Sequence, residues 1–207
     1  MKTKTSFWDR IADKYASMPI ADEVSYRIKL DKTREYFQPD SVVLEFGCGT
    51  GGTALSHAPY VKQIDAIDLS ARMLEKCEQK RQQNNIDNVH FQQHSIESLP
   101  LQPGHYNVVM GMSILHLVDD VDAVIHKVYQ LLKPGGYFIS STICLGDVMP
   151  LFRFIAPLGY RLGLMPKVSS LKAGILQQHI VNAGFQLDHH WQPKRKAATF
   201  LIMQKPM

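Results

Sequence analysis

Residues 6–15 carry Phe7, Ile11 and Tyr15 at every fourth position, with Trp8 and Ala12 beside them. That spacing lines one face of a helix with apolar side chains, and Ser6 stands where an N-cap would. A second helix is read over 22–37, ended by Pro39-Asp40. There the period changes. SVVLEF at 41–46 is a short β-branched run with glycines directly after it, the pattern of a buried strand. Residues 53–57 open a helix, 61–69 form a second strand, and Ser70 caps a helix running to about residue 83. Further strands are read at 89–92, 106–112 and 137–142. A helix over 120–132 lies between the last two and stops at Lys133-Pro134-Gly135-Gly136.

Strands alternating with helices in this way predict a parallel, doubly wound α/β sheet. Beyond it, 169–183 reads as a helix with Gly184 as its C′ residue. Two apolar runs, 185–191 and 199–204, then form a hairpin turning at 193–196. The expected fold is a mostly parallel, seven-stranded Rossmann-like sheet with a C-terminal antiparallel hairpin and a helical cap. It divides into cap helices (1–40), a core (41–142), a lid insert (143–168) and a C-terminal helix with the hairpin (169–207). At 207 residues, 45% of them hydrophobic, the chain suits a single domain.

A formal charge of +4 is mild and does not call for nucleic acid. The short basic run Lys194-Arg195-Lys196 reads as a solvated loop or as a phosphate contact. Cys48, Cys77 and Cys144 are odd in number and show no zinc spacing, which fits a reduced, cytoplasmic setting and no metal. The N-terminus lacks the apolar core of a signal peptide. The greasiest segment, 148–166, contains Pro150, Pro157, Pro166, Arg153 and Arg161, so it is not read as a membrane span. A lid over a pocket, or a surface that touches lipid, remains as its reading.

The chemistry concentrates at Glu45-Phe46-Gly47-Cys48-Gly49-Thr50-Gly51-Gly52, where a strand runs through glycines into a helix. Side chains at those glycines would keep the backbone away from a ligand. Gly47, Gly49 and Gly52 also satisfy GxGxxG, and Asp68, about twenty residues on, is placed for ribose hydroxyls. A dinucleotide and S-adenosylmethionine (SAM) both contain a ribose. Two helices precede this loop, and Glu45 suits a cationic ligand better than a pyrophosphate. Its alternative is a carboxylate bonded to loop amides.

VVLEFGCGTGGTAL resembles the first motif of the class I SAM-dependent methyltransferases. Ile67-Asp68-Leu69-Ser70 with Met73-Leu74, FQQHSIESLP at 91–100, ILHLV at 114–118 and LKPGG at 132–136 follow in the order of that family's later landmarks. Enzymes that methylate quinone precursors are the nearest likeness. The resemblance implies that Gly47, Cys48, Gly49 and Gly51, with Glu45, lie at the amino-acid end of SAM. Asp68 would take the ribose, Leu69 and Met73 the adenine face. Ser95, where many relatives carry Asp, would sit near the adenine amino group with Ile96 beside it. Met112 and Ser113 would face the methionine portion. Tyr15 either covers the cofactor or faces the core.

The implied activity is methyl transfer from SAM to a small, hydrophobic or aromatic acceptor, leaving S-adenosylhomocysteine. Two alternatives accompany it: a non-catalytic SAM-binding protein and an NAD(P)-dependent oxidoreductase. His116, a few residues past the fourth strand, is the candidate general base, against a capping or core role. The pair Asp119-Asp120 is explained by helix capping. The N-terminal helices and 148–166, with Phe152, Phe154, Ile155, Leu158, Tyr160, Leu162 and Leu164, are expected to form the acceptor pocket or to pack on the sheet.

Overall fold

The computed structural model describes every residue except 1–3, 150, 151, 163 and 195, and only the backbone of residues 4 and 152–155. Among the described residues, helices α1 (Lys4–Ser17) and α2 (Glu23–Arg34) precede β1 (Val42–Phe46), α3 (Gly52–His57), β2 (Gln63–Asp68), α4 (Ala71–Gln83) and β3 (Val89–Gln93). Then follow β4 (Tyr106–Met112), α5 (Val121–Leu131), β5 (Leu132–Thr142), α6 (Leu145–Val148), α7 (Phe152–Arg161), α8 (Ala173–Asn182), β6 (Gln186–Trp191) and β7 (Thr199–Gln204). One seven-stranded sheet runs β3-β2-β1-β4-β5-β7-β6. Its first five strands are parallel, and β7 pairs antiparallel with both β5 and β6. The expected architecture is therefore the observed one.

Strand side chains alternate between two cores, as the pleat requires. Leu44, Val109, Phe138, Leu201 and Met203 pack with Val124, Ile125 and Val128 of α5 and Leu176 and Ile180 of α8. Val43, Val108, Met110, Phe200 and Ile202 face the other way, toward Phe37, Ala54 of α3 and Cys77 of α4. Because both faces of the sheet are covered, its central strands carry runs as apolar as VVLEF in parallel β1 and FLIM in antiparallel β7.

Several boundaries shift for local reasons. Ser6 lies inside α1, not at its cap. Asp22, Ser70 and Asp120 are true N-caps, accepting N–H bonds from Ser25, Met73 and Ala123. The KPGG stretch does more than stop α5: β5 already begins at Leu132, and its register against β4 slips between Tyr106 and Val108. Helix α8 starts at Ala173, whose N–H is taken by the Asp147 carboxylate at 2.8 Å. Helix α7 runs through Pro157. Among the described residues no helix is long and apolar enough to cross a membrane.

Topology puts the site where the strand order reverses, beyond the C-terminal ends of β1 and β4. Helix α1 is drawn across that opening by polar contacts with α4. Ser70 Oγ donates to Asp9 at 2.6 Å, and Asp13 takes Lys76 at 2.6 Å and Arg72 at 3.1 Å. Ser70 thus caps α4 and anchors α1 at once. S70A should lower the unfolding free energy by about 1–2 kcal/mol, with an unchanged urea m-value. An unchanged urea midpoint would refute this double role.

Candidate cofactor and acceptor site

The first cavity, about 360 Å3, lies against the end of β2 and the glycine loop. Asp68 organises it. Its Oδ2 accepts the Gly49 N–H at 2.9 Å and its Oδ1 accepts the Ser70 N–H at 2.9 Å. Burial pushes this carboxyl above its ordinary pKa, against the amide groups of Ser70, Gly49 and Leu69 that favour the anion. A half-buried carboxylate with fixed oxygens at a cavity wall is suited to accept hydroxyl hydrogen bonds.

The loop between β1 and α3 is held tightly to β2. Cys48 N–H donates to Ile67 O at 3.0 Å, and Cys77 Sγ–H to Gly49 O at 3.1 Å. Gly47 has φ +66°, and a Cβ there would meet Ile114 Cγ1 at 2.5 Å. Only glycine fits. Gly51, with φ +76°, lines neither this cavity nor the next. A Cβ on it would meet Cys77 Sγ at 3.0 Å and Phe91 Cζ at 3.1 Å, so it serves packing of the loop on α4 and β3. Contact with a ligand is not what requires glycine at that position.

Most of the remaining predicted residues converge. Tyr15, Gly47, Gly49, Asp68, Leu69, Met73, Ser95, Ile96, Met112 and Ser113 line the first cavity. Ser95 Oγ is already engaged, accepting the Ser98 N–H at 3.1 Å in a tight turn. Tyr15 stays 44% exposed while Ala12 of the same helix is fully buried, so the tyrosine covers the site and the alanine faces the core. Burial raises the Tyr15 pKa, with a smaller contribution from the Asp68 charge. Trp8 also lines this cavity, edge-on to Tyr15 at 6.2 Å between ring centroids. Seven residues separate the two, which are two helical turns; that spacing was the available signal for Trp8. Phe46, His94, Glu97, Ile114, Leu117, Val118, Asp119 and Asp120 also line it.

A second cavity, about 730 Å3, shares Tyr15, Gly47, Gly49, Met112 and Ser113 with the first. Glu45 and Cys48 face this one. Glu45 is 2% exposed; one carboxylate oxygen takes the Ala54 N–H, while Oε2 is buried with no partner. The amide that holds it belongs to the first turn of α3 and not to the loop, and one oxygen remains free. Desolvation pushes its pKa up to about 8. Ser113, at the shared floor, has φ +58°, a strained conformation for a residue with a side chain. Its N–H donates to Ser141 O at 2.7 Å, which holds it there.

Two expectations differ from what the described residues show. His116 lines neither cavity. Its Nδ1 is buried without a partner, burial lowers its pKa, and its carbonyl takes the Ser169 N–H at 2.8 Å. It stands within the loop that follows β4, where its backbone is tied to Ser169. Nor do the described residues of 148–166 line either cavity. Leu158, Leu162 and Leu164 are exposed, while Phe152, Phe154 and Ile155, like Arg153, fall outside the described side chains, and Pro150 outside the described residues. The second cavity is closed instead by the α1–α2 linker, α2, Ile143 beyond β5 and the hairpin turn. The N-terminal segments named in that expectation line this cavity, and the hairpin turn, distant in sequence, joins them. Asp120 caps α5 and Asp119 pairs with Lys167 at 3.0 Å, so the acidic pair has structural partners.

Glu45 makes stability depend on pH. Between the ordinary carboxylate pKa of about 4.5 and about 8 the folded chain holds a proton there that the unfolded chain has lost. Unfolding free energy should therefore fall as pH rises through that window. E45Q should lose less stability than wild type between about pH 5 and about pH 8 in urea titrations. Equal losses would show that Glu45 titrates normally.

A family model described as a methyltransferase domain matches residues 37–191. The chain is 33% identical over 97 residues to an uncharacterized methyltransferase, YcgJ, of Bacillus subtilis, a match covering 47% of this chain and 38% of that one. It is 30% identical over 164 residues to a ubiquinone biosynthesis O-methyltransferase of Acinetobacter baumannii, covering 74% of this chain and 69% of that one. The chain thus spans well under half the length of the first relative and about two thirds of the second. Among solved structures, an S-adenosylmethionine-dependent methyltransferase from Mesorhizobium loti superimposes with a TM-score of 0.69 at 18% identity, over 84% of this chain and 96% of that one, a likeness of fold. With a family match over most of its length, on this sheet order and around this glycine loop, the chain belongs to the methyltransferase-domain family.

Proposed function

We propose that this protein transfers a methyl group from SAM to a small acceptor, with the cofactor spanning the first cavity and the shared floor and the acceptor entering from the second. One observation carries the reading: a carboxylate fixed by loop amides, Asp68, lines one cavity, and a buried carboxylate with an unpartnered oxygen, Glu45, lines the adjoining one. SAM presents a ribose to the first and an ammonium to the second, and supplies an already activated sulfonium methyl.

The residues then have distinct tasks. Asp68 accepts the ribose hydroxyl hydrogens. Leu69 and Met73 offer the adenine an apolar surface, and Ser95, occupied by Ser98, contributes chiefly through its backbone turn. Glu45 yields its proton to solvent and keeps its charge beside the cofactor's ammonium. Tyr15 and Trp8 cover the joined cavities and exclude water, which in-line transfer to a positioned nucleophile requires. No base is assigned to His116, because it does not reach the cavities. An apolar acceptor body suits Met18, Pro19, Ile20 and Trp191 of the second cavity. The three cysteines, free and buried, accord with a reducing cytoplasmic setting.

Calorimetry against SAM, S-adenosylhomocysteine and NAD(P), with label transfer from methyl-labelled SAM, tests the reading. S-adenosylhomocysteine should bind, and D68A should weaken it roughly 10–100-fold. Binding of NAD(P) in its place would overturn the assignment. Cofactor binding without transfer to any member of a broad acceptor panel would favour a non-catalytic SAM-binding role.

A further inference from the structure

Positive charge and exposed apolar surface coincide on the segment between β5 and α8. Residues 148–187 contain no Asp or Glu, although the chain has 19, and they carry Arg153, Arg161, Lys167 and Lys172. So long a stretch without an acid leaves a locally cationic surface on a chain whose net charge is mild. Lys167 is paired with Asp119 at 3.0 Å. Arg161 and Lys172 are exposed, and among the described residues neither forms an ion pair.

Helix α7 turns Ala156 inward, where it is buried. Gly159, one turn on, lets Met165 pack so closely that a Cβ would meet its Sδ at 2.8 Å. Leu158 and Leu162, one turn apart, lie on the side away from Ala156 and are 60% and 57% exposed. The backbone there is regular: the Leu162 N–H donates to Leu158 O at 3.0 Å, and the Leu164 N–H to Gly159 O at 3.0 Å. Leu164 is nevertheless 72% exposed. These leucines belong to neither cavity and to neither core of the sheet. Apolar side chains held outward together on a fixed backbone mark a contact surface.

The segment leaves the sheet beside the second cavity. Ile143, directly after β5, lines that cavity and is itself exposed, as are Met18 and Ile20 of the α1–α2 linker. Helix α6 follows at once, tied to the start of α8 by the Gly146 N–H, which donates to Leu171 O at 2.7 Å. A Cβ on Gly146 would meet Lys172 Cγ at 2.8 Å, so Lys172 stands against α6. Met149, at the end of α6, is exposed too. Exposed apolar side chains thus recur along the chain from the cavity to α7, with Lys172 and Arg161 on the same segment.

A phosphate-bearing lipid surface satisfies both halves of this chemistry. Leucines enter the acyl boundary, while Arg and Lys lay their apolar stems beside them and reach the headgroups. A second copy docking by the same face would set like charges against one another. We infer that the segment between β5 and α8 docks this protein on an anionic bilayer, with Leu158, Leu162 and Leu164 in the acyl boundary and Arg161 and Lys172 at headgroup level. The inference does not rest on the methyl-transfer reading, whose failure would leave vesicle binding unchanged. Joined to that reading, docking brings the second cavity close to lipid, a source for an apolar acceptor.

The test sediments the full chain with vesicles of phosphatidylcholine alone and of phosphatidylcholine mixed with phosphatidylglycerol. Binding to the mixed vesicles should be about tenfold or more tighter, and should weaken as salt is raised. The double variant L158D/L162D should lose about tenfold or more of that affinity, and R161E about fivefold or more. Both should keep the thermal midpoint of wild type. Amide hydrogen exchange in wild type should slow over residues 156–164 when mixed vesicles are added, which decides the matter even where a variant fails to fold. No binding to mixed vesicles, or equal binding to neutral ones, overturns the inference. So does protection confined to other segments. A concentration-dependent dimer that L158D/L162D returns to monomer would assign the leucines to a second copy, and overturns it as well.

Discussion

The Asp68 carboxylate ties together the parts on which the site depends. It sits at the end of β2, takes the Gly49 N–H from the loop after β1, and takes the Ser70 N–H at the start of α4. Ser70 in turn caps α4 and holds Asp9 of α1. Four segments of chain thus meet around one half-buried carboxylate. Burying a carboxylate is costly unless its oxygens are satisfied, and here the amides that satisfy it are those whose positions shape the cavity. The same bonds that make the charge tolerable set the loop's geometry.

The cover over this arrangement is held far more lightly. Beyond the Ser70–Asp9 bond, α1 meets α4 through Asp13 with Arg72 and Lys76. Asp13 is fully solvated, and although Lys76 holds its pKa down, exposed pairs of this kind add little to stability. Trp8 and Tyr15 therefore ride on a helix whose docking is weak relative to the sheet beneath it. A ligand must enter and leave beneath α1, and such an element is drawn from the less stable parts of a structure. The rigid half of the site, glycine loop and Asp68, and its yielding half, α1 and the α1–α2 linker, have different physical origins.

The legible features were those carried by short stretches of chain. SVVLEF, the glycines after it and the caps at Ser70 and Asp120 revealed themselves through spacing and local propensity, and all fall in their expected elements. Asp68 was readable because β2 delivers it to the loop at a fixed distance along the chain. Residues whose roles depend on distant partners were not readable. Gly51 looks like its neighbours in the loop, yet Cys77 and Phe91 are what forbid a side chain there. His116 had the right chemistry and the right place in the sequence, but it lines neither cavity. Lys29 was one polar position among many on α2 until Ser141, 112 residues away, came within reach.

By itself, then, the sequence determined the alternation of elements, the parallel core and the glycine-to-Asp68 half of the site. Hydrophobic period, capping chemistry and steric demand at glycine act over a few residues and are written in consecutive letters. Which segments close the acceptor cavity was decided only by tertiary structure. The hairpin turn lines this cavity with α2 because β7 inserts antiparallel between β5 and β6. That pairing sets the end of β5, Trp191 and Lys29 around one space. Such proximity arises from strand order in the assembled sheet, which no local pattern encodes.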